Sequence, residues 1–174
     1  MRAMVIYESM FGDNQEVAQA ITAGLTEGGV VAEAVEVGEA PGRLDEDVSL
    51  VVVGAPNHAW SIPRPATRQT TADAADGPLV SQGPGVREWL RKAHLPTGVR
   101  TAAWDTRGSS PKPVVAMDHA SSTIEKRLTK LGGTTLTPAE HFTVVDMKGP
   151  LEPGELERAH AWGVTLAGAL HPTT

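Results

Sequence analysis

Short apolar runs alternate along the chain with stretches in which apolar residues recur every three or four positions. Residues 2–7 contain the unbroken run Ala3-Met4-Val5-Ile6-Tyr7, which predicts a strand buried on both faces. From Asn14 to about Thr26, Val17, Ala18, Ile21 and Leu25 share one side of a predicted helix, and Gly28-Gly29 stops it. Residues 30–37 predict a second strand. Glu33 and Glu36 interrupt its apolar content and place it at a sheet edge. Residues 48–54, Val-Ser-Leu-Val-Val-Val-Gly, give the strongest strand signal in the chain.

Residues 55–81 contain Pro56, Pro63, Pro65 and Pro78 and no sustained period, so they read as irregular. Irregular segments beyond about 12–15 residues are usually functional or disordered. A helix is predicted over 84–94, with Pro84 in its first turn and Val86, Trp89, Leu90 and Ala93 at helical spacing. Residues 99–104 predict a strand. Helix 122–131 opens with Ser122 and Glu125 at capping-box spacing, carries Ile124, Leu128 and Leu131 as its stripe, and ends at Gly132-Gly133. Residues 142–147 predict a fifth strand. The last helix covers 154–170, with Leu156, Ala159, Gly163, Leu166, Ala167 and Leu170 facing inward.

This alternation predicts an α/β fold: a doubly wound, five-stranded parallel sheet, with the helix between strands two and three missing or shrunk. Right-handed crossovers favour the strand order 2-1-3-4-5. In that arrangement ligands sit beyond the carboxyl ends of the strands, at the switch point between strands one and three. Loops 8–14, 55–62 and 105–112 would line such a site. No repeat or second domain is visible, so residues 1–174 read as one domain.

Composition narrows the chemistry. The 174 residues include no cysteine, which excludes disulfides, thiolate metal sites and a cysteine nucleophile. Lys plus Arg is 15 and Asp plus Glu is 21, so 15 − 21 gives a net charge of −6, which argues against a general nucleic-acid binder. No stretch approaches the roughly 18 apolar residues of a membrane span, and no secretory pattern opens the chain, so a cytoplasmic protein is expected. The seven aromatics are few enough to be worth locating. Trp89, Phe142 and Trp162 fall at packing positions. Tyr7, Phe11, Trp60 and Trp104 fall at or beside the ends of predicted strands.

The segment Tyr7-Glu8-Ser9-Met10-Phe11-Gly12-Asp13-Asn14 leads from a strand into a helix. Free N–H groups and the positive end of the helix dipole make such a turn an anion site. Ser9 and Asn14 add side-chain donors, and Gly12 permits close backbone approach. Equally, this is an ordinary strand-to-helix turn with Asp13 or Asn14 as N-cap.

This segment, with Glu16-Val17-Ala18 and Ile21, resembles the flavodoxin family, whose apolar first strand leads into a hydroxyl- and glycine-containing phosphate loop. The Ser-Met-Phe-Gly wording is also similar to the quinone-reductase branch of that superfamily. The resemblance implies non-covalent FMN, with the phosphate held at Ser9, Met10, Phe11, Gly12, Asp13 and Asn14. The chain departs from the family pattern at three places: Phe11 and Asn14 stand where threonines are usual, and Asp13 where asparagine is usual. Asp13 thereby brings a carboxylate towards a phosphate, where like charges repel.

The resemblance places a second flavin loop at Pro56, Asn57, His58, Ala59 and Trp60, with Trp60 stacking on the ring and His58 at its edge. Alternatively, Trp60 plugs the loop against the body of the protein. A third flavin loop falls on Asp105, Thr106, Arg107 and Gly108, extending to Ser110. Arg107 would pair there with a phosphate or a reduced flavin, or be a solvated loop arginine. The tyrosine platform common in this loop is missing.

The resemblance implies electron transfer through FMN, to a redox partner protein or a small-molecule acceptor. The acidic net charge suits a basic partner. Two alternatives stand beside it: an FMN-dependent quinone or small-molecule reductase, and an interaction module of the same fold that has lost its flavin. Other chemistries fit less well. The six histidines show no metal-ligand spacing, and no metal is expected. Asp118-His119 with Ser121-Ser122 lacks a nucleophile elbow and reads as helix capping. Strand three ends Gly54-Ala55-Pro56, without the acceptor aspartate of a phosphoryl receiver.

Overall fold

The computed structural model describes residues 1–109 and 119–171. In chain order the elements are β1 (Arg2–Tyr7), α1 (Asp13–Glu27), β2 (Val31–Glu36), β3 (Val48–Pro56), α2 (Pro65–Asp73), α3 (Val86–Lys92), β4 (Arg100–Gly108), α4 (Ala120–Lys130), β5 (Thr134–Thr135), β6 (Glu140–Val144) and α5 (Glu155–Leu170). The sheet is parallel and ordered β2-β1-β3-β4-β5, with β6 also pairing with β4. The expected 2-1-3-4-5 order is therefore the observed one. The fifth position is divided: β5 pairs with the start of β4 (Arg100, Thr101), and β6 pairs with its end (Trp104–Gly108).

Strand alternation sends successive residues to opposite faces. Ala3, Val5, Leu50, Val52, Ala102 and Trp104 pack with Val17, Ile21 and Leu25 of α1 and Ala159 and Leu166 of α5. Met4, Ile6, Val51, Val53 and Ala103 pack on the other face with Val86 and Leu90 of α3 and Ile124 and Leu128 of α4. Both faces are covered, which is why these strands read as continuous apolar runs. Phe142 and Trp162 meet edge-on with ring centroids 6.2 Å apart, and Trp89 is buried, as packing positions require.

Several boundaries differ from the expectation. Residues 55–81 include α2, a nine-residue helix that buries none of its residues and so carries no apolar stripe to read. Pro65 opens it at the first-turn position suited to proline. Helix α3 starts at Val86 rather than at 84, with Glu88 Oε2 accepting the Gly85 N–H at 3.0 Å. Helix α4 starts at Ala120, and the Ser122 hydroxyl bonds back to the His119 carbonyl instead of capping. Strand β4 continues to Gly108, and β6 covers Glu140–Val144 rather than 142–147. Leu156 is 38% exposed rather than inward, because it lies in the first turn of α5, ahead of the buried stripe.

Helices α1 and α5 cross at Gly24 and Gly163. A Cβ on Gly24 would fall on the His160 carbonyl oxygen, and one on Gly163 on that of Ile21. Gly163→Ala is expected to lower unfolding stability by about 1–3 kcal/mol through overpacking. Gly168→Ala on the same helix meets open space, and is expected to stabilise by up to about 1 kcal/mol. Urea unfolding of the two variants checks the opposite signs.

Candidate functional site

Register brings Tyr7, Gly54 and Trp104 side by side. Trp104 lies where a Cβ on Gly54 would be, so its indole crosses the sheet at this level. Beyond these strand ends lies a cavity of about 510 Å³, within the roughly 300–1,000 Å³ of small-molecule sites. Five segments wall it: the β1–α1 loop, the end of β3, the end of β4, one side of α2, and the residues after β6.

The β1–α1 loop is held internally. Ser9 Oγ accepts the Gly12 N–H at 3.1 Å. The Ser9 N–H donates to Ser81 Oγ at 3.0 Å, and the Ser9 carbonyl accepts the Ser81 N–H at 2.8 Å. Gly12, not Asp13 or Asn14, is the N-cap, with φ of 111°, a left-handed conformation that favours glycine. Gly12 has no side chain to cap α1; the Asp13 carboxylate takes the Asp13 N–H, and the rest of the first turn is left to solvent or ligand.

Asn14 is buried and bonded at both ends of its carboxamide. Its Nδ2 donates to Thr106 Oγ1 at 2.7 Å, and its Oδ1 accepts Trp104 Nε1 at 2.9 Å. It ties α1 to β4 rather than offering a free donor. The Asp13 carboxylate accepts hydrogen bonds from its own N–H and that of Leu151, and Gly149 packs close against it. Burial, then the Glu16 charge, raises its pKa.

At the end of β3, the Asn57 N–H donates to the Thr106 carbonyl at 3.0 Å. Its carboxamide differs: Nδ2 and Oδ1 are both buried and neither has a partner. Leaving such groups unpaired costs about 1–3 kcal/mol each. His58 and Ser61 then exchange backbone hydrogen bonds (2.7 and 3.1 Å) around a turn with Ala59 at φ 47° and Trp60 at φ 63°. Two consecutive non-glycine residues in the left-handed region store strain of the kind that clusters at ligand sites. Burial and the Arg68 charge lower the His58 pKa to about 4, so its imidazole is neutral near pH 7. Trp60 is 52% exposed and outside the cavity wall.

Asp105, Thr106 and Arg107 are residues of β4, not of a loop. Alternation puts Asp105 and Arg107 on one face. Asp105 is fully buried, with Oδ1 2.8 Å from Arg107 Nε and Oδ2 2.6 Å from Arg107 Nη2, and it accepts the Ser121 N–H at 2.9 Å. Arg107 Nη2 is also 2.8 Å from His141 Nδ1. Burial would raise the Asp105 pKa, but its contacts with His141 and Arg107 and the Arg107 charge bring it down to about 2. Arg107 is therefore a buried, paired cation rather than a solvated loop arginine.

Of the expected site residues, Ser9, Met10, Phe11, Asp13, Asn14, Pro56, Asn57, His58, Ala59, Thr106, Arg107 and Gly108 line the cavity. Gly12, Trp60 and Asp105 do not. Tyr7 and Trp104 are buried behind the wall. Ser110 and Asp118 lie outside the described residues. Sequence reasoning missed Thr67, Thr70 and Thr71 of α2 and Val144–Met147 after β6. The threonines show no helical apolar period, though their i, i+3, i+4 spacing places them on one face.

It also missed Glu8. This carboxylate is fully buried, 2.6 Å from Arg68 Nε and 2.8 Å from the Val86 N–H. Arg68 Nη2 reaches Glu88 Oε2 at 2.5 Å. An acidic residue directly after a wholly apolar strand was the available signal.

No family model and no curated protein matches the chain. Solved structures do. Flavodoxin 1 from Bacillus cereus aligns over 99% of this chain and 100% of its own, at 16% identity and TM-score 0.68. A flavodoxin from the domain Archaea aligns over 98% and 99%, at 18% identity and TM-score 0.67. Rubredoxin oxygen:oxidoreductase from Desulfovibrio gigas aligns over 97% of this chain and 36% of its own, at 15% identity and TM-score 0.60. The fold is thus flavodoxin-like. Among the described residues no helix is long and apolar enough to cross a membrane.

Two titrations give the site a pH signature. As pH falls from about 6.5 to about 4, an unfolded chain takes up a proton that folded His58 refuses, so stability declines across that window. Asp105 acts lower: its contribution, about 2 kcal/mol, is complete above the unfolded value near 4 and is lost as pH falls through about 2. Urea midpoints against pH are expected to show the first decline, and His58→Gln is expected to flatten it.

Proposed function

We propose that the chain binds FMN in this cavity and carries electrons in the cytoplasm, to a redox partner protein or a small-molecule acceptor. The observation that carries the reading is the cavity of about 510 Å³ beyond the carboxyl ends of β1, β3 and β4, walled by the β1–α1 loop and the turn after β3. Asn57 lines it, and its buried, unpartnered carboxamide would turn to meet a flat heterocycle edge that alternates carbonyl oxygens with an N–H. The flavodoxin-like fold puts the cavity where open α/β sheets bind ligands. The uncapped N-terminus of α1 supports an anionic group at the other end.

A bound flavin would supply the redox chemistry, and the protein would orient it and set its electrostatics. Asn57 would hold the ring edge. Neutral His58 adds no positive charge to the wall near pH 7. Arg107, neutralised by Asp105, adds little net charge. The carboxylate of Asp13 opposes a phosphate, and its bond from the Leu151 N–H draws it towards the segment before α5. Against the reading stand the internal engagements of Ser9 and Asn14, which suit an interaction module that no longer takes flavin.

Titration of FMN with the purified protein separates the two. Quenching of flavin fluorescence at micromolar protein is expected, and its absence overturns the flavin reading. Asn57→Ala is expected to weaken binding about tenfold or more. Asp13→Asn is expected to tighten it by removing a charge beside the phosphate.

A further inference from the structure

Four arginines meet on the face formed by the α2 entry, α3 and α4. Arg87 Nε and Nη2 bond the carbonyls of Pro63 (3.0 Å) and Ile62 (2.7 Å), immediately before Arg64. Arg127 Nη1 reaches the Arg87 carbonyl at 3.4 Å, bringing α4 to α3. Arg91 lies one turn beyond Arg87 on the same side of α3.

Like charge is concentrated here. Among the described residues, no carboxylate lies within 4.0 Å of any of these four guanidiniums. The nearby Glu88 is engaged by Arg68 at 2.5 Å and by the Gly85 N–H at 3.0 Å. Burial lowers the Arg87 pKa, and the charges of Arg127, Arg64 and Arg91 lower it further, while Glu88 opposes them. Arg64 and Arg91 are exposed, and Lys92, Lys126 and Lys130 extend the positive surface along the two helices. In a chain of net charge −6, four neighbouring arginines with no carboxylate within 4.0 Å among the described residues make a local positive surface that attracts an anion.

We infer that this face docks an acidic protein, with Arg64, Arg87, Arg91 and Arg127 as its cationic centre. The four arginines line neither cavity described around α2 and are spread over the α2 entry, α3 and α4, which suits an extended acidic protein surface better than one small anion. The net charge of the chain points to a basic partner, but the local distribution on this face points the other way. The inference does not depend on what fills the cavity.

A short fluorescein-labelled poly-glutamate peptide probes the surface at low ionic strength, with binding read by anisotropy on the full chain. Arg64→Glu/Arg91→Glu changes two exposed side chains and leaves the half-buried contacts of Arg87 in place. It is expected to weaken binding about tenfold or more, and salt is expected to do the same. Arg43→Glu/Arg100→Glu makes the same change in net charge elsewhere and is expected to alter affinity by less than roughly twofold. Equal loss in both variants, or no binding by the native chain, overturns the proposal. So does tighter binding of tripolyphosphate or duplex DNA than of the peptide. Unchanged urea midpoints establish that both variants remain folded.

Discussion

The geometry of the cavity depends on one buried carboxylate. Glu8 sits where β1 leaves the sheet, out of contact with water, and is held by Arg68 from α2 and the N–H of Val86 at the start of α3. Burial pushes its pKa up, and Arg68 pulls against that push. Removing one member of such a pair leaves an uncompensated buried charge, at a cost of about 3–5 kcal/mol. The pair therefore fixes α2, a helix with no buried residue of its own, against the strand ends. That placement puts Thr67, Thr70 and Thr71 into the cavity wall and brings the Arg68 charge close enough to His58 to help keep it neutral.

The remaining polar groups near the strand ends mostly satisfy one another. Asn14 joins Thr106 to Trp104, Asp105 takes Arg107 and Ser121, and Ser9 closes its own loop. Such a network is rigid when every member is paired. Asn57 is the exception on the cavity side, and the strained turn of Ala59 and Trp60 follows directly after it. The unpaired buried amide and the strained turn thus fall in one segment of the wall, Asn57–Trp60.

Much of this was legible in the sequence. The apolar runs at 3–7 and 50–53 announced strands covered on both faces, and Glu33 and Glu36 announced the edge. Most of the residues expected at the strand ends line one cavity, although Asp105, Thr106, Arg107 and Gly108 belong to β4 rather than to a loop. What stayed hidden had no periodic signature. Helix α2 is amphipathic in neither sense, because an ion pair rather than an apolar stripe anchors it. The extension of β4 through Asp105 and Arg107 was masked by charges that look like loop chemistry and prove to be a buried pair.

Hydrophobic patterning alone was enough for the parallel sheet, its strand order and every element but α2 and the short β5. Hydrophobic periodicity is a local property, and the rules of parallel sheets turn it into an arrangement. Only the tertiary structure decided which polar side chains face the cavity and which are spent on holding it together. Asn14 and Asn57 look equally available along the chain. The Asn14 carboxamide is bonded at both ends by partners about 90 residues away, and that of Asn57 has no partner. Hydrogen bonding at that sequence distance depends on how strands and helices meet in space, and nothing in the neighbouring residues records it.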